Sequence, residues 1–350
     1  MYRLPSGVFN ATYQQDSALF RTKFQKFWLI SFFLFLIIFP FISNDYIISV
    51  ANLIGIAVIG AVGLNILTGF AGQISIGHGA FVGIGAYASA LLVSELHIPF
   101  WVSLPLAGLF TACVGLIFGL PSLRVKGLYL AIATLAAQVI INFVMINWSS
   151  LTKGTSGLPV ESPQAFGFVF DTDLSYYFLI VFFAIQAVTF AKNLQRTKVG
   201  RAFMAIRDND LAAELIGINL FRYKLFAFFI SSFYAGVAGA LWAHYVTLIT
   251  PEHFTIVESI NYLAMIIIGG IGSVLGAILG AIFMVLLPEI LRLVSDSLSS
   301  IFPDIGNFFF ALKDVIFGLI IILFLIYEPQ GLSHRWQMIK AYWKLWPFSY

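Results

Sequence analysis

The chain has 350 residues, of which 60% are hydrophobic and 10% charged, with a net charge of +3. Soluble domains carry roughly 25% charged residues, so this composition excludes an ordinary soluble globular protein and points to the membrane. The small net charge gives no reason to expect a nucleic-acid partner. The single cysteine, Cys113, excludes an intrachain disulfide and any cysteine-based metal cluster.

Residues 1–26 are long and polar before the first apolar run, unlike a cleaved signal peptide, so the first span is expected to remain in the mature chain. They read as a cytoplasmic amino-terminal segment. A helix needs about 20 apolar residues to cross a hydrocarbon core about 30 Å thick. On that measure spans fall near 27–43, 48–67, 74–94, 99–120, 127–148, 175–192, 225–247, 258–270, 274–292 and 308–327. The eighth is short, and the sequence GGIGS (269–273) separates it from the ninth, because glycine and serine turn the chain there. The fold class is therefore all-α and polytopic, with about ten transmembrane helices making a transmembrane domain over 27–327 and a tail over 328–350.

Charge orients these spans. With both ends on the cytoplasmic side, all of the 19 basic residues except Lys153, Arg292 and Lys313 fall inside. Nine spans would send the basic carboxyl tail outside, so the break at GGIGS agrees with the charge. Two connections exceed hairpin length: 149–174 on the outside and 193–224 on the inside.

Gly79–Gly83, Gly115–Gly119 and Gly272–Gly276–Gly280 repeat at a spacing that lets helix backbones approach. The spacing fits packing within the bundle and fits equally a face for a second membrane subunit. GLNILTGFAGQISIGHGAFVGIGAY (63–87) joins two spans with no charge but with Asn65, Thr68, Gln73, Ser75 and His78. Two readings stay open. A broken helix would line a solute path with Asn65, Gln73, Ser75 and His78; alternatively, these side chains cap helix ends near the interface.

No GxxxxGK[ST], HExxH, CxxC or GxSxG motif occurs, and no span carries a central acidic pair. Glu258, Glu289, Lys313 and Asp314 lie at span ends, and the mid-span polar groups are Gln138, Asn142 and Gln186. The chain has the build of a transporter without an energy source of its own.

GRAFMAIRDNDLAAELIGINLFRYK (200–224) is the charged exception. Asp208, Asn209 and Asp210 suit a helix amino terminus, and Gly217 suits a helix end. Between them Ala212 and Ala213 give a small-residue face that would fit a groove on another protein. Lying on the lipid surface is the equal alternative.

LAAELIG (211–217) resembles the EAAxxxG signature through which ATP-binding-cassette importer permeases contact their ATPases. Ala212, Ala213 and Gly217 match, while Leu211 replaces the first glutamate, so no salt bridge carries over from that position. GLNILTGFAGQISIGHGAFVGIGAYASALL (63–92), GLYLAIATLAAQVI (127–140), NWSSLTKGTSGLPV (147–160) and GRAFMAIRDNDLAAELIGIN (200–219) together resemble the LivM-type permeases of high-affinity branched-chain amino acid importers. Lys153 stands where that pattern leads one to expect glycine.

The resemblance implies a multi-pass subunit of the bacterial inner membrane that is not itself an enzyme and binds no cofactor. Its partners would be a LivH-type permease, LivG/LivF-type ATPases carrying ATP and magnesium, and a periplasmic substrate-binding protein. It assigns ATPase coupling to Gly200, Arg201, Arg207, Asp208, Asp210, Ala212, Ala213, Glu214 and Gly217. The outer loop, with Thr152, Gly154, Thr155 and Gly157, would receive the binding protein. Leucine, isoleucine and valine are the implied cargo. A urea or short-amide permease of the same family is the nearest alternative, followed by a self-contained channel or carrier and by a scaffold subunit that conducts nothing.

Overall fold

The computed structural model describes residue 12 and residues 23–123, 125, 127–165, 168–301 and 303–345. Arg3, Arg21, Arg124 and Lys126, used above for orientation, lie outside the described residues. The chain forms two compact units, residues 1–48 and 49–350. The first contains helix α1 (Lys23–Ile42), whose Phe27, Trp28, Ile30, Phe35 and Phe41 are all more than half exposed. A helix apolar on every side and so exposed belongs in lipid.

The remaining helices follow in chain order. They are α2 (Asp45–Leu64), α3 (His78–Ser94), α4 (Phe100–Gly119), α5 (Leu128–Asn147) and α6 (Asp173–Leu194). Next come α7 (Lys198–Asp208), α8 (Asp210–Leu215), α9 (Leu220–Val246), α10 (Ile256–Gly269) and α11 (Val274–Ile301). The last are α12 (Pro303–Tyr327) and α13 (Leu332–Leu345). The protein is thus an all-α polytopic membrane protein. Among the described residues six helices are long and apolar enough to cross a membrane alone, or seven if Val315–Tyr327 and Leu332–Tyr342, bent by 48°, form one span. Phe27–Ile42, His78–Ser94 and Ile256–Gly269 are apolar but shorter.

α9 is the helix the others pack on. In its most apolar stretch 72% of residues are buried, against 33% for α6. Lipid tails are as apolar as leucine, so helices in a membrane are held by close packing rather than by escape from water. The α3–α9 contact shows how close: a Cβ at Gly239 would collide with the carbonyl of Val82, and one at Gly85 with the backbone of Gly236. α10 and α11 meet the same way, Gly280 lying against the carbonyl of Met265 and Gly276 against that of Gly269. The glycine repeats singled out in the sequence therefore pack the bundle itself: Gly79 against Ser259, Gly83 against Phe254, Gly115 against Ser232 and Gly119 against Phe228.

The 149–174 loop is tied down. Strand β1 (Leu158–Pro159) pairs antiparallel with β4 (Leu248–Ile249), at the end of α9, with Leu158 opposite Ile249. β2 (Gln164–Ala165) and β3 (Phe168–Val169) form a second small ribbon. Below them the His244 ring joins the carbonyl of Glu161 at 2.7 Å to the Ser89 hydroxyl at 2.9 Å. Lys153 has φ of 60°, in the left-handed region that glycine favours, which accounts for glycine being the expected residue there.

Candidate coupling and translocation site

The charged segment folds as an ordered helix pair. The Thr197 hydroxyl caps α7 by accepting from the Gly200 amide at 3.2 Å. Gly200 is glycine for space, since a Cβ there would run into the carbonyl of Leu194. Gly200, Ala202, Phe203 and Ile206 are buried and give α7 its inward face; Arg201 points outward. Asn209, rather than either flanking aspartate, caps α8: its side-chain oxygen accepts from the Ala212 amide at 3.1 Å. Gly217 closes α8 at φ of 88° while Ile218 N–H donates to the carbonyl of Ala213 at 3.0 Å. Asn219 then caps α9 through the Arg222 amide at 3.0 Å.

The small-residue face expected of α8 is split. Ala213 is 2% exposed and packs inward, whereas Ala212 and Glu214 face out. The outer surface is apolar instead, with Leu211 at 65%, Leu215 at 89% and Ile216 at 75% exposure. A larger side chain at Ala213 would disturb α8 on its own account, so Leu215 is the better probe of docking.

Two charged contacts lead inward from this pair. Asp210 lies 3.6 Å from the ammonium of Lys224, a lysine buried in the first turns of α9. Arg207 pairs with Asp208 at 2.9 Å and also donates from Nη1 to the carbonyl of Gly69 at 3.0 Å. Gly69 belongs to a π-helical turn, Asn65–Phe70, that extends α2. Gly72, in the left-handed region at φ of 68°, leaves room for the Arg207 side chain. The Asn65 side-chain oxygen accepts from the Gly272 amide at 2.8 Å. Three elements thus meet at Arg207: the end of α7, the π turn and the 270–273 elbow between α10 and α11. π turns are rare and gather where a helix carries function.

In the neighbouring run 73–78 the polar side chains Gln73, Ser75 and His78 are buried, while Ile74 is exposed. α3 starts inside the bundle, where its first N–H groups have no partner in their own helix. Side chains of α5 and α10 supply them. Thr134 accepts from Ile76 N–H at 2.9 Å, Ser259 from Gly79 N–H at 2.8 Å and Gln138 from Ala80 N–H at 2.8 Å. Gln138 also donates to the carbonyl of Phe254 at 2.7 Å, and Ser259 donates to Gln138 at 2.7 Å. His78 meets the carbonyl of Gly60 at 2.9 Å, and Gly77 N–H donates to Ser75 at 3.4 Å. The chain does break between α2 and α3, and its exposed backbone is met by side chains. Gln73 is the exception: among the described residues both of its buried amide atoms are without a partner, as is Asn65 Nδ2. Of the other mid-span amides, the Asn142 oxygen has no partner among the described residues and Gln186 is exposed.

In the outer loop Thr152 is buried and donates to the carbonyls of Met145 and Trp148 at 2.8 and 2.9 Å. Gly154 and Gly157 are buried at left-handed φ of 55° and 82°, while Lys153, Thr155 and Ser156 are exposed. Three of the four residues expected to receive a partner therefore shape the loop, and Thr155 belongs to its outer surface.

Residues 46–325 match the family described as branched-chain amino acid transport system / permease component. The chain belongs to this permease family. The permease is 31% identical over 332 residues to the high-affinity branched-chain amino acid transport system permease protein LivM of Escherichia coli strain K12, covering 88% of this chain and 75% of that one. It is 25% identical over 303 residues to the LivH permease protein of Salmonella typhimurium strain LT2, covering 80% and 92%. The autoinducer 2 import system permease protein LsrC of Enterobacter sp. strain 638 is 29% identical over 234 residues, covering 63% and 64%. No solved structure matches the chain.

Arg207, Asp210 and Ala213 lie in the α7–α8 pair and Gly217 follows it, with Arg207 and Asp210 making the contacts that lead inward. Gly69, Gly72, Gly272 and Lys224 were missed as members of this site. The one available signal was glycine at the two chain breaks, where nothing names the arginine that fills the space.

Proposed function

We propose that the chain is a permease subunit of an ATP-driven importer that moves branched-chain amino acids across the bacterial inner membrane. The observation that carries this reading is the α7–α8 pair, which presents exposed Leu211, Leu215 and Ile216 outward and Arg207 inward. An ATPase of the LivG/LivF type, carrying ATP and magnesium, docks on the exposed end, and a LivH-type permease completes the pathway. Movement of α8 reaches α9 through Asp210 and Lys224, and reaches the π turn and the 270–273 elbow through Arg207. Such a device has two states that nucleotide biases.

Ten spans with both termini cytoplasmic fit this assembly, because the basic residues then gather beside α7 and α8. The 149–174 loop faces the periplasm, with Lys153, Thr155 and Ser156 toward the binding protein. The names of the relatives support branched-chain amino acids as cargo, and in this reading the binding protein sets most of the selectivity.

The test is uptake of labelled leucine, isoleucine and valine by the complete complex in cells lacking their own system. Leu215→Glu should leave the two permeases paired but lose the ATPases on purification, and uptake with them. A Leu215→Glu complex that keeps its ATPases and transports normally would end the coupling assignment. A wild-type complex that moves none of the three amino acids would end the substrate assignment.

A further inference from the structure

α2, α9, α10, α11 and α12 enclose a half-open cavity of about 210 Å³. Its wall is apolar, including Ile56, Met265, Met284 and Phe317, apart from a few polar groups, among them Glu258, Asn261 and Tyr262. A cavity of roughly 150 Å³ takes benzene, so this one has room for a small solute.

Glu258 is the group that calls for an explanation. It stands three residues after Thr255, the N-cap of α10, and T-x-x-E is the pattern of a capping box. The box does not form: α10 has no side-chain cap bond. The carboxylate instead lines the cavity, where Asn261 donates to it at 3.3 Å. Among the described residues no lysine, arginine or histidine pairs with it. A carboxylate in apolar surroundings without a cation is costly, and such groups in membrane proteins mark sites of passing charge. Tyr262 and Trp242 also line the cavity, and among the described residues neither the Tyr262 hydroxyl nor the Trp242 indole N–H has a hydrogen-bond partner.

One carboxylate, two free donors and an apolar wall complement a zwitterion that carries an aliphatic side chain. We propose that this cavity is a transient site for an aliphatic α-amino acid within the permease, Glu258 receiving the ammonium, Tyr262 and Trp242 the carboxylate, and Met265, Met284 and Phe317 the side chain. The assignment rests on the importer reading above and places the cargo inside this chain rather than only on a binding protein. No covalent step is involved.

The experiment uses the complete complex with Met284→Cys in a Cys113→Ser background, labelled by a small maleimide without binding protein present. Leucine should slow labelling. Isoamylamine, which keeps the ammonium, should protect partly; 4-methylvalerate, which lacks it, should not. Glu258→Gln should raise the leucine concentration for half-protection by about ten- to a hundredfold, the value of one charged hydrogen bond. Glu258→Asp should restore most of it. Equal protection by 4-methylvalerate, or protection unchanged in Glu258→Gln, overturns the site. Because labelling is read apart from uptake, a wild-type complex that imports leucine but is not protected refutes this site alone. A complex that imports no branched-chain amino acid refutes the importer reading.

Discussion

At Arg207 three contacts join separate elements: the guanidinium with the Gly69 carbonyl, the Asn65 oxygen with the Gly272 amide, and Asp210 with Lys224, while among the described residues Asn65 Nδ2 and the Gln73 amide stay unmet. Around Glu258 the polar residues line a cavity, and among the described residues the carboxylate meets one amide. Both regions lie in the same apolar bundle, where an unmet polar group is expensive. Pairing in the first region fixes three chain breaks relative to one another. The lack of it in the second leaves a cavity whose groups are free to meet a solute. The contrast teaches how to read polar residues in a permease: those that are met hold the machine together, and those that are not are candidates for touching cargo.

The contrast is broken first by stability. Asn65 is buried, and its oxygen accepts the Gly272 amide. Asn65→Leu keeps the branched outline but strands that N–H, which should lower stability in detergent by about 1–3 kcal/mol. Thermal unfolding of the purified complex reads it. An unchanged melting temperature would mean that the junction is not held by this bond.

Arg207→Met comes next. The Arg207 side chain is 37% exposed, so water replaces part of what is lost, and a smaller fall of about 1 kcal/mol is expected. Its effect on coupling should be larger than its effect on stability. ATPase subunits should still copurify through Leu215, and ATP should still be hydrolysed, while leucine uptake falls with it uncoupled. Uptake at the wild-type rate per ATP would remove Arg207 from the transmission path.

The helices were legible because each rests on a local signal. Apolar runs of span length mark α2, α4, α5, α6, α9 and α11, while Asn209 and Gly217 mark where α8 begins and ends. The resemblance to a permease family was legible because four separate motifs stand in order along the chain. The junction was not, because it joins residues far apart in sequence: Gly69 lies 138 residues from Arg207, and Asn65 lies 207 from Gly272. Nor could the sequence say which alanine of α8 turns inward, since both satisfy the same signature. α13 was read only as tail, its apolar residues being mixed with His334, Arg335, Lys340 and Lys344. Glu258 was read as a span-end acid, which describes its place in the chain but not the space it faces.

The sharpest use of the comparison is also the smallest effect. Glu258→Leu removes a carboxylate of similar volume and one contact from Asn261. If Glu258 were a structural partner like Asn65, its loss would lower stability by a comparable amount. If it is a group awaiting a cation, an apolar side chain suits the surroundings of Ile56, Met265 and Met284 better than an unpaired charge does. Replacing a poorly compensated buried charge by an apolar residue is often neutral or stabilising. The expected outcome is therefore a melting temperature equal to or above wild type, with normal pairing to the second permease and normal ATPase copurification, but slower leucine uptake. A drop in melting temperature as large as that of Asn65→Leu would place Glu258 among the residues that hold the bundle and erase the difference between the two regions.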